Sequence, residues 1–158
     1  MPLEPELDEL YREIILDHYR SPRNHAPLAH ADVSEEGLNP LCGDEIALQL
    51  AFNDDRIAAI GWGGRGCSIS QAAASMMSEA VLGRTAAEAE ALRAAFEAMM
   101  SSGAEPDSEL GDLEVLQGVN KFPVRIKCAL LAWKVLAQAL AARAGHSSRQ
   151  PRQVERSR

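Results

Sequence analysis

Three cysteines and one aspartate are the residues whose types and places suit joint chemistry. Cys42 and Asp44 lie in NPLCGDE, Cys67 follows the glycines of GWGGRGCSIS, and Cys128 lies in KFPVRIKCALL. In an extended segment Cys42 and Asp44, two positions apart, project to the same side. Three thiolates and a carboxylate make a tetrahedral donor set, and soft sulfur ligands favour zinc or iron-sulfur chemistry over magnesium or calcium. No C-x-x-C pair is present, so the spacing alone is not that of a zinc finger. Held by Zn²⁺, the four groups formally leave about two negative charges, which Arg125 and Lys127 beside Cys128 are placed to offset. Two solvated cations in a helix's first turn are the plainer account of that pair.

Gly61 to Ser68 fits G-x-x-x-x-G with a strand before it and a helix after it, a near miss to a phosphate-binding loop. Cys67 stands where such a loop needs a lysine to neutralise the β- and γ-phosphates, which excludes the nucleotide reading. Unpaired N–H groups at a helix start stabilise a thiolate instead, and glycines let a metal or a partner come close. The alternative is that Cys67 is a small buried hydrophobe, the commonest fate of a free cysteine.

The elements that must position these residues can be read from the pattern. Leu7, Leu10, Tyr11, Ile14, Ile15, His18 and Tyr19 recur at helical spacing, predicting a first helix that Ser21-Pro22 ends. Ile46, Leu48, Leu50 and Phe52 alternate on one face of a strand, and Asn53-Asp54-Asp55 turns the chain into RIAAIGW, giving a hairpin. SISQAAASMMSEAVL reads as a helix ended by Gly83, and Thr85 with Glu88 forms a capping box for the next, which runs to Met99 or Met100. A last helix begins near Pro123. All three cysteines therefore fall at element ends, where sites are assembled. The methionine pairs Met76-Met77 and Met99-Met100 are expected in the core.

At 158 residues and 46% hydrophobic, the chain is expected to form one α+β domain over residues 1–144, with a basic, disordered tail over 145–158. A domain of this size buries about 70% of the surface of its unfolded chain and needs no disulfides. The odd number of cysteines and an N-terminus without a basic-then-apolar order point to a cytoplasmic protein with reduced thiols. No apolar run approaches the roughly 20 residues that span a bilayer. The net charge is −7, and the tail's four arginines against Glu155 leave −10 on residues 1–144. So acidic a body argues against nucleic acid as a partner.

Six blocks, DHYRSPRN, NPLCGD, GRGCSIS, ASMMSEA, GDLEVLQGV and KFPVRIKCALLAW, occur in an order that closely resembles the SufU branch of the IscU/NifU-like iron-sulfur cluster assembly family. The resemblance covers about residues 7–140. It implies a small three-stranded antiparallel sheet packed with about five helices, so that a further short strand lies between Ala29 and Asn39. It also implies Cys42, Asp44, Cys67 and Cys128 as the metal ligands, the same four that ligand chemistry selects.

Two functions follow from the resemblance. In the SufU role, a zinc-bound sulfurtransferase accepts sulfur from a PLP-dependent cysteine desulfurase of the SufS type and passes it to a separate scaffold of the SufBCD type. In the IscU role, a [2Fe-2S] cluster is built on the protein itself. The first is preferred here on three grounds. Scaffold members carry a histidine where this chain has Lys127, and an L-P-P-V-K chaperone stretch where it has Phe122-Pro123-Val124-Arg125. The 61 positions between Cys67 and Cys128 are also a longer separation than scaffolds show. For the SufU role the family implies that a histidine of the docked desulfurase takes a zinc position and frees Cys42, the expected sulfur acceptor, with Arg125 in support. A structural zinc adaptor is the blander alternative, against which the weaker ligand Asp44 argues. His18 and Tyr19 in DHYRSPRN are expected on the core face of the first helix, with desulfurase docking as the alternative.

Overall fold

The computed structural model describes residues 5–148. The order of elements is helix α1 (Pro5–Arg20), strands β1 (Val33–Asn39), β2 (Asp44–Asn53) and β3 (Arg56–Arg65), helices α2 (Ser68–Val81) and α3 (Ala86–Ser101), a 3-10 segment (Ser108–Lys121) and helix α4 (Pro123–Ser148). The three strands form an antiparallel meander in the order β1-β2-β3. An α+β domain with a three-stranded sheet and five helical segments is thus the architecture.

One face of the sheet is built by Ile46, Leu48 and Leu50 of β2 with Ile60 and Trp62 of β3, all buried. Helix α4 packs on this face across β1 and β2, with α2 beside it. Gly37 of β1 makes room for it, because a Cβ there would stand 2.6 Å from Val135 Cγ2. Farther along α4, Trp133 stacks on Phe96 of α3, ring centroids 5.2 Å apart. Both methionine pairs are buried, as expected, and fill the space between these helices.

The local signals act as read. Thr85 Oγ1 accepts from Glu88 N–H at 3.1 Å while the Glu88 carboxylate accepts from Thr85 N–H at 3.0 Å, completing the capping box of α3. Gly83, with φ of 88°, lies just past α2, and Pro123 opens α4.

Three features differ from the pattern. Strand β1 is invisible to periodicity, because its core-facing positions include Glu35 and Gly37 instead of large apolar residues. Phe52 lies on the face of Ile46, Leu48 and Leu50 as read, but packs at the edge of the core without being fully buried by it. The register shifts between Ala51 and Phe52, and the ring lies only half-buried under Arg143, 4.1 Å from its guanidinium carbon. Helix α4 runs to Ser148, four residues into the expected tail, since extending a formed helix through Gly145 costs far less than nucleating one. The rest of that tail, residues 149–158, lies outside the described residues.

Candidate metal centre

Strands β1 and β2 are joined by Pro40-Leu41-Cys42-Gly43, a turn closed by the Cys42 and Gly43 N–H groups, which both donate to the Asn39 carbonyl at 3.2 and 2.9 Å. Gly43 takes φ of 73°, which a side chain would resist. The turn holds Cys42 at the end of the sheet, partly exposed between the exposed Leu41 and the fully buried Asp44. Asp44 continues the core-facing series of Ile46, Leu48 and Leu50, so β2 carries its carboxylate into the interior.

The glycines before Cys67 serve that carboxylate. A Cβ on Gly66 would collide with Asp44 Oδ1, and one on Gly64 would collide with the Glu45 carbonyl. Without them the chain closes over Asp44, and the Cys67 N–H donates to Oδ1 at 3.1 Å. Cys67 is also the N-cap of α2, its sulfur accepting from the Ser70 N–H at 3.4 Å. The glycine-rich stretch therefore cradles an acid of its own chain.

Helix α4 brings in Cys128 from its second turn, fully buried. Its thiol donates to Cys42 Sγ at 3.3 Å, well beyond the roughly 2.05 Å of a disulfide. The donor atoms of Cys42, Asp44 and Cys128 all lie within 4.8 Å of one another. Cys67 stands outside that group of three, although it interacts with the Cys128 thiol and holds Asp44 through its backbone. Burial pushes the Cys128 thiol well above its ordinary range, and contacts with Cys42, Asp44 and Cys67 push in the same direction.

These donors fit a soft divalent cation. A buried carboxylate beside one buried and two partly buried thiols carries the charge and the lone pairs of a ligand set, and among the described residues no Lys or Arg ion-pairs with it. In the turn after Cys67, Ser70 Oγ and Gln71 Nε2 are buried with no hydrogen-bond partner among the described residues. Arg125 and Lys127 are both exposed, and Arg125 forms no ion pair among the described residues, so neither enters the buried cluster.

Sequence reasoning passed over Asn39. It is buried, faces Asp44 across the β1–β2 register, and its side-chain N–H group donates to Asp44 Oδ2 at 3.2 Å and lies 3.8 Å from Cys128 Sγ. Its place inside NPLCGD, opposite the aspartate across a four-residue turn, was the available signal.

DHYRSPRN forms a second polar cluster, between α1 and α2. His18 is buried with Nδ1 2.8 Å from Ser75 Oγ. Arg23 N–H donates to the same hydroxyl at 2.9 Å, and its guanidinium pairs with Asp17 at 2.7 Å. Asn24 Nδ2 donates to Ser78 Oγ at 2.9 Å, and the Trp62 indole N–H donates to the Arg23 carbonyl at 2.8 Å. The block thus ties α1 to α2 and β3. His18 is on the core face as expected, whereas Tyr19 is exposed.

Comparison with known proteins places this geometry. Residues 10–129 match the family model of the NifU-like N-terminal domain. The chain is 44% identical over 146 residues to the zinc-dependent sulfurtransferase SufU of Bacillus subtilis (strain 168), covering 92% of this chain and 99% of that one. It is 42% identical over 136 residues to the iron-sulfur cluster assembly scaffold protein IscU of Streptococcus pyogenes serotype M1, covering 85% of each. The crystal structure of FiSufU, a SUF-system protein of Fervidobacterium islandicum AW-1, superposes with a TM-score of 0.78 at 38% identity, over 84% of this chain and 98% of that one.

Proposed function

The chain belongs to the family of the NifU-like N-terminal domain, and from that membership and the cysteine cluster we propose that it is a zinc-bound sulfur acceptor in iron-sulfur cluster assembly. Cys42, Asp44, Cys67 and Cys128 are the residues that would hold the metal. Bound there, Zn²⁺ would keep the thiols ionised and shielded from oxidation.

The observation that carries this reading is the unequal exposure of the donors. Asp44 and Cys128 are fully buried, while Cys42 and Cys67 are both partly exposed, Cys67 with its sulfur engaged by the Ser70 N–H and Cys42 on a turn beside the exposed Leu41. Of the two thiols open to a sulfur donor from solvent, Cys42 is the one not engaged in capping a helix. The Cys42 thiolate attacks the terminal sulfur of a persulfide on a PLP-dependent cysteine desulfurase of the SufS type. A new S–S bond forms at Cys42, the donor's S–S bond breaks, and the donor cysteine leaves as a thiolate. Asn39 and the Cys67 N–H hold the Asp44 carboxylate in place meanwhile. The Cys42 persulfide is then passed to a scaffold of the SufBCD type. Arg125, exposed on the first turn of α4, is a contact for the docked donor and takes no part in the chemistry at sulfur.

The test is alanine production from cysteine by the desulfurase, with and without the zinc-loaded chain. A large stimulation that Cys42→Ala abolishes is expected. The scaffold reading, favoured by the IscU relative, would replace this one if no stimulation occurred and the iron-reconstituted chain assembled and released a cluster.

A further inference from the structure

The contact between the two thiols has a second use, which rests on the sulfur-acceptor reading. We propose that Cys128 is a resolving thiol: when no metal holds it, it attacks the inner sulfur of a Cys42 persulfide and expels the outer sulfur as sulfide.

The inner sulfur of that persulfide is Cys42 Sγ itself, the atom that Cys128 Sγ already approaches to 3.3 Å. Closing to a bond of about 2.05 Å requires a movement of about 1.3 Å. The movement falls to the Cys42 side of the pair, which is partly exposed on the four-residue turn at the end of the sheet. Cys128 is fixed by comparison, buried within the core between α4 and the sheet. Cys67 is the poorer candidate, since its sulfur is engaged by the Ser70 N–H and lies outside the group that includes Cys42.

The step balances without an outside oxidant. The bond between Cys42 Sγ and the outer sulfur breaks, and the bond between Cys42 Sγ and Cys128 Sγ forms. The outer sulfur leaves with the electron pair and is reduced to sulfide, while the two cysteines are oxidised to a disulfide. The Cys128 thiol proton, already directed at Cys42 Sγ, passes to the departing sulfur, which leaves as hydrogen sulfide. Ligation of Cys128 withdraws the attacking lone pair. Metal occupancy thus decides whether the acquired sulfur stays on Cys42 for delivery or is lost as free sulfide.

The experiment charges the full-length chain with inorganic polysulfide, in metal-free and zinc-loaded forms, then removes the excess. Sulfide release is followed, and linked peptides are mapped without reductant. The metal-free chain is expected to release about one sulfide per persulfide and to yield a Cys42–Cys128 linkage, with the zinc-loaded chain at least about tenfold slower. Cys128→Ser is expected to keep its persulfide. Release undiminished in that variant, a linkage to Cys67, or the sulfane sulfur recovered on Cys128 would each overturn the proposal. Should Cys128→Ser lose its fold, the wild-type peptide map still decides. Polysulfide bypasses the desulfurase, so a desulfurase that failed to charge Cys42 would sink the relay reading alone. A working relay with a metal-free chain that kept its persulfide would sink only this one.

Discussion

Around His18, the buried polar groups find their partners within the chain: Ser75, Ser78, Asn24 and the Arg23 backbone satisfy one another between α1 and α2. Around Cys128, the groups are one buried thiol, one partly exposed thiol and a buried carboxylate, all acids, with Asn39 and a backbone N–H donating to the carboxylate. Both clusters border the same helix, α2, and both draw on a distinctive run of sequence. The difference lies in what each leaves over. A polar cluster that closes on itself fixes the fold, whereas one made only of acids needs a cation from outside to be stable as a buried unit.

The largest expected effect comes from removing a donor. Asp44→Ala should reduce zinc affinity by more than the roughly 100-fold that loss of an outer-shell partner costs, read by competition with a chromophoric chelator. The His18 cluster should remain formed, which hydrogen exchange at α1 and α2 would report. Loss of protection there to the same degree would erase the distinction between the two regions.

Gly66→Ala puts a methyl group where the Asp44 carboxylate lies. Zinc affinity should fall more than fold stability does, and a thermal melt alongside a metal titration separates the two. Asn39→Ala removes the N–H group that holds Asp44 Oδ2, and a loss of about 10- to 100-fold in zinc affinity is expected. An unchanged affinity would mean that the Cys67 N–H alone orients the carboxylate.

On the other side of α2, Ser75→Ala leaves His18 Nδ1 and the Arg23 N–H without their shared hydroxyl. It should cost about 1–3 kcal/mol of stability in urea melts, with zinc affinity unchanged.

The smallest effect is a pH dependence. Burial, and then the Arg23 charge, hold the His18 imidazole below its usual value of 6.5. The unfolded chain therefore binds a proton more readily than the folded one, and stability falls as the pH drops below 6.5 toward the folded value. The slope should not exceed about 1.4 kcal/mol per pH unit, and His18→Gln should flatten it. Urea midpoints of the metal-free chain between pH 5 and 7.5 would show whether it does.

The same contrast governs what the sequence disclosed. Cys42, Asp44 and Cys128 were legible as a candidate group because few side chains bind soft metals, and the structure brings their donor atoms within 4.8 Å of one another. Their assembly was not, since Cys42 and Cys128 are 86 positions apart and only the packing of α4 on β1 and β2 joins them. The hairpin showed in the alternation of Ile46, Leu48 and Leu50, with Phe52 on the same side at the edge of the core. Strand β1 escaped because Gly37 is chosen for the nearness of Val135, which leaves no hydrophobic mark. Asn39 went unread for a related reason: an asparagine before a proline looks like turn chemistry, and only the cross-strand register sets it against Asp44. DHYRSPRN showed its importance but not its purpose, because its partners, Ser75 and Ser78, lie on a helix whose other residues read as plain core.

Helix α4 reaches from one end of this molecule to the other. Cys128 stands in its second turn at the metal centre. Fifteen residues on, Arg143 lies across the Phe52 ring, donates to the Asp54 carbonyl at 2.9 Å and comes within 3.9 Å of Asp32 at the far hairpin. At 1.5 Å per residue the two points are about 22 Å apart along one rigid rod. The helix is held at its far end by Arg143 and carries the Cys128 thiol near its start, so a single element sets the distance between the cysteine cluster and the far turn.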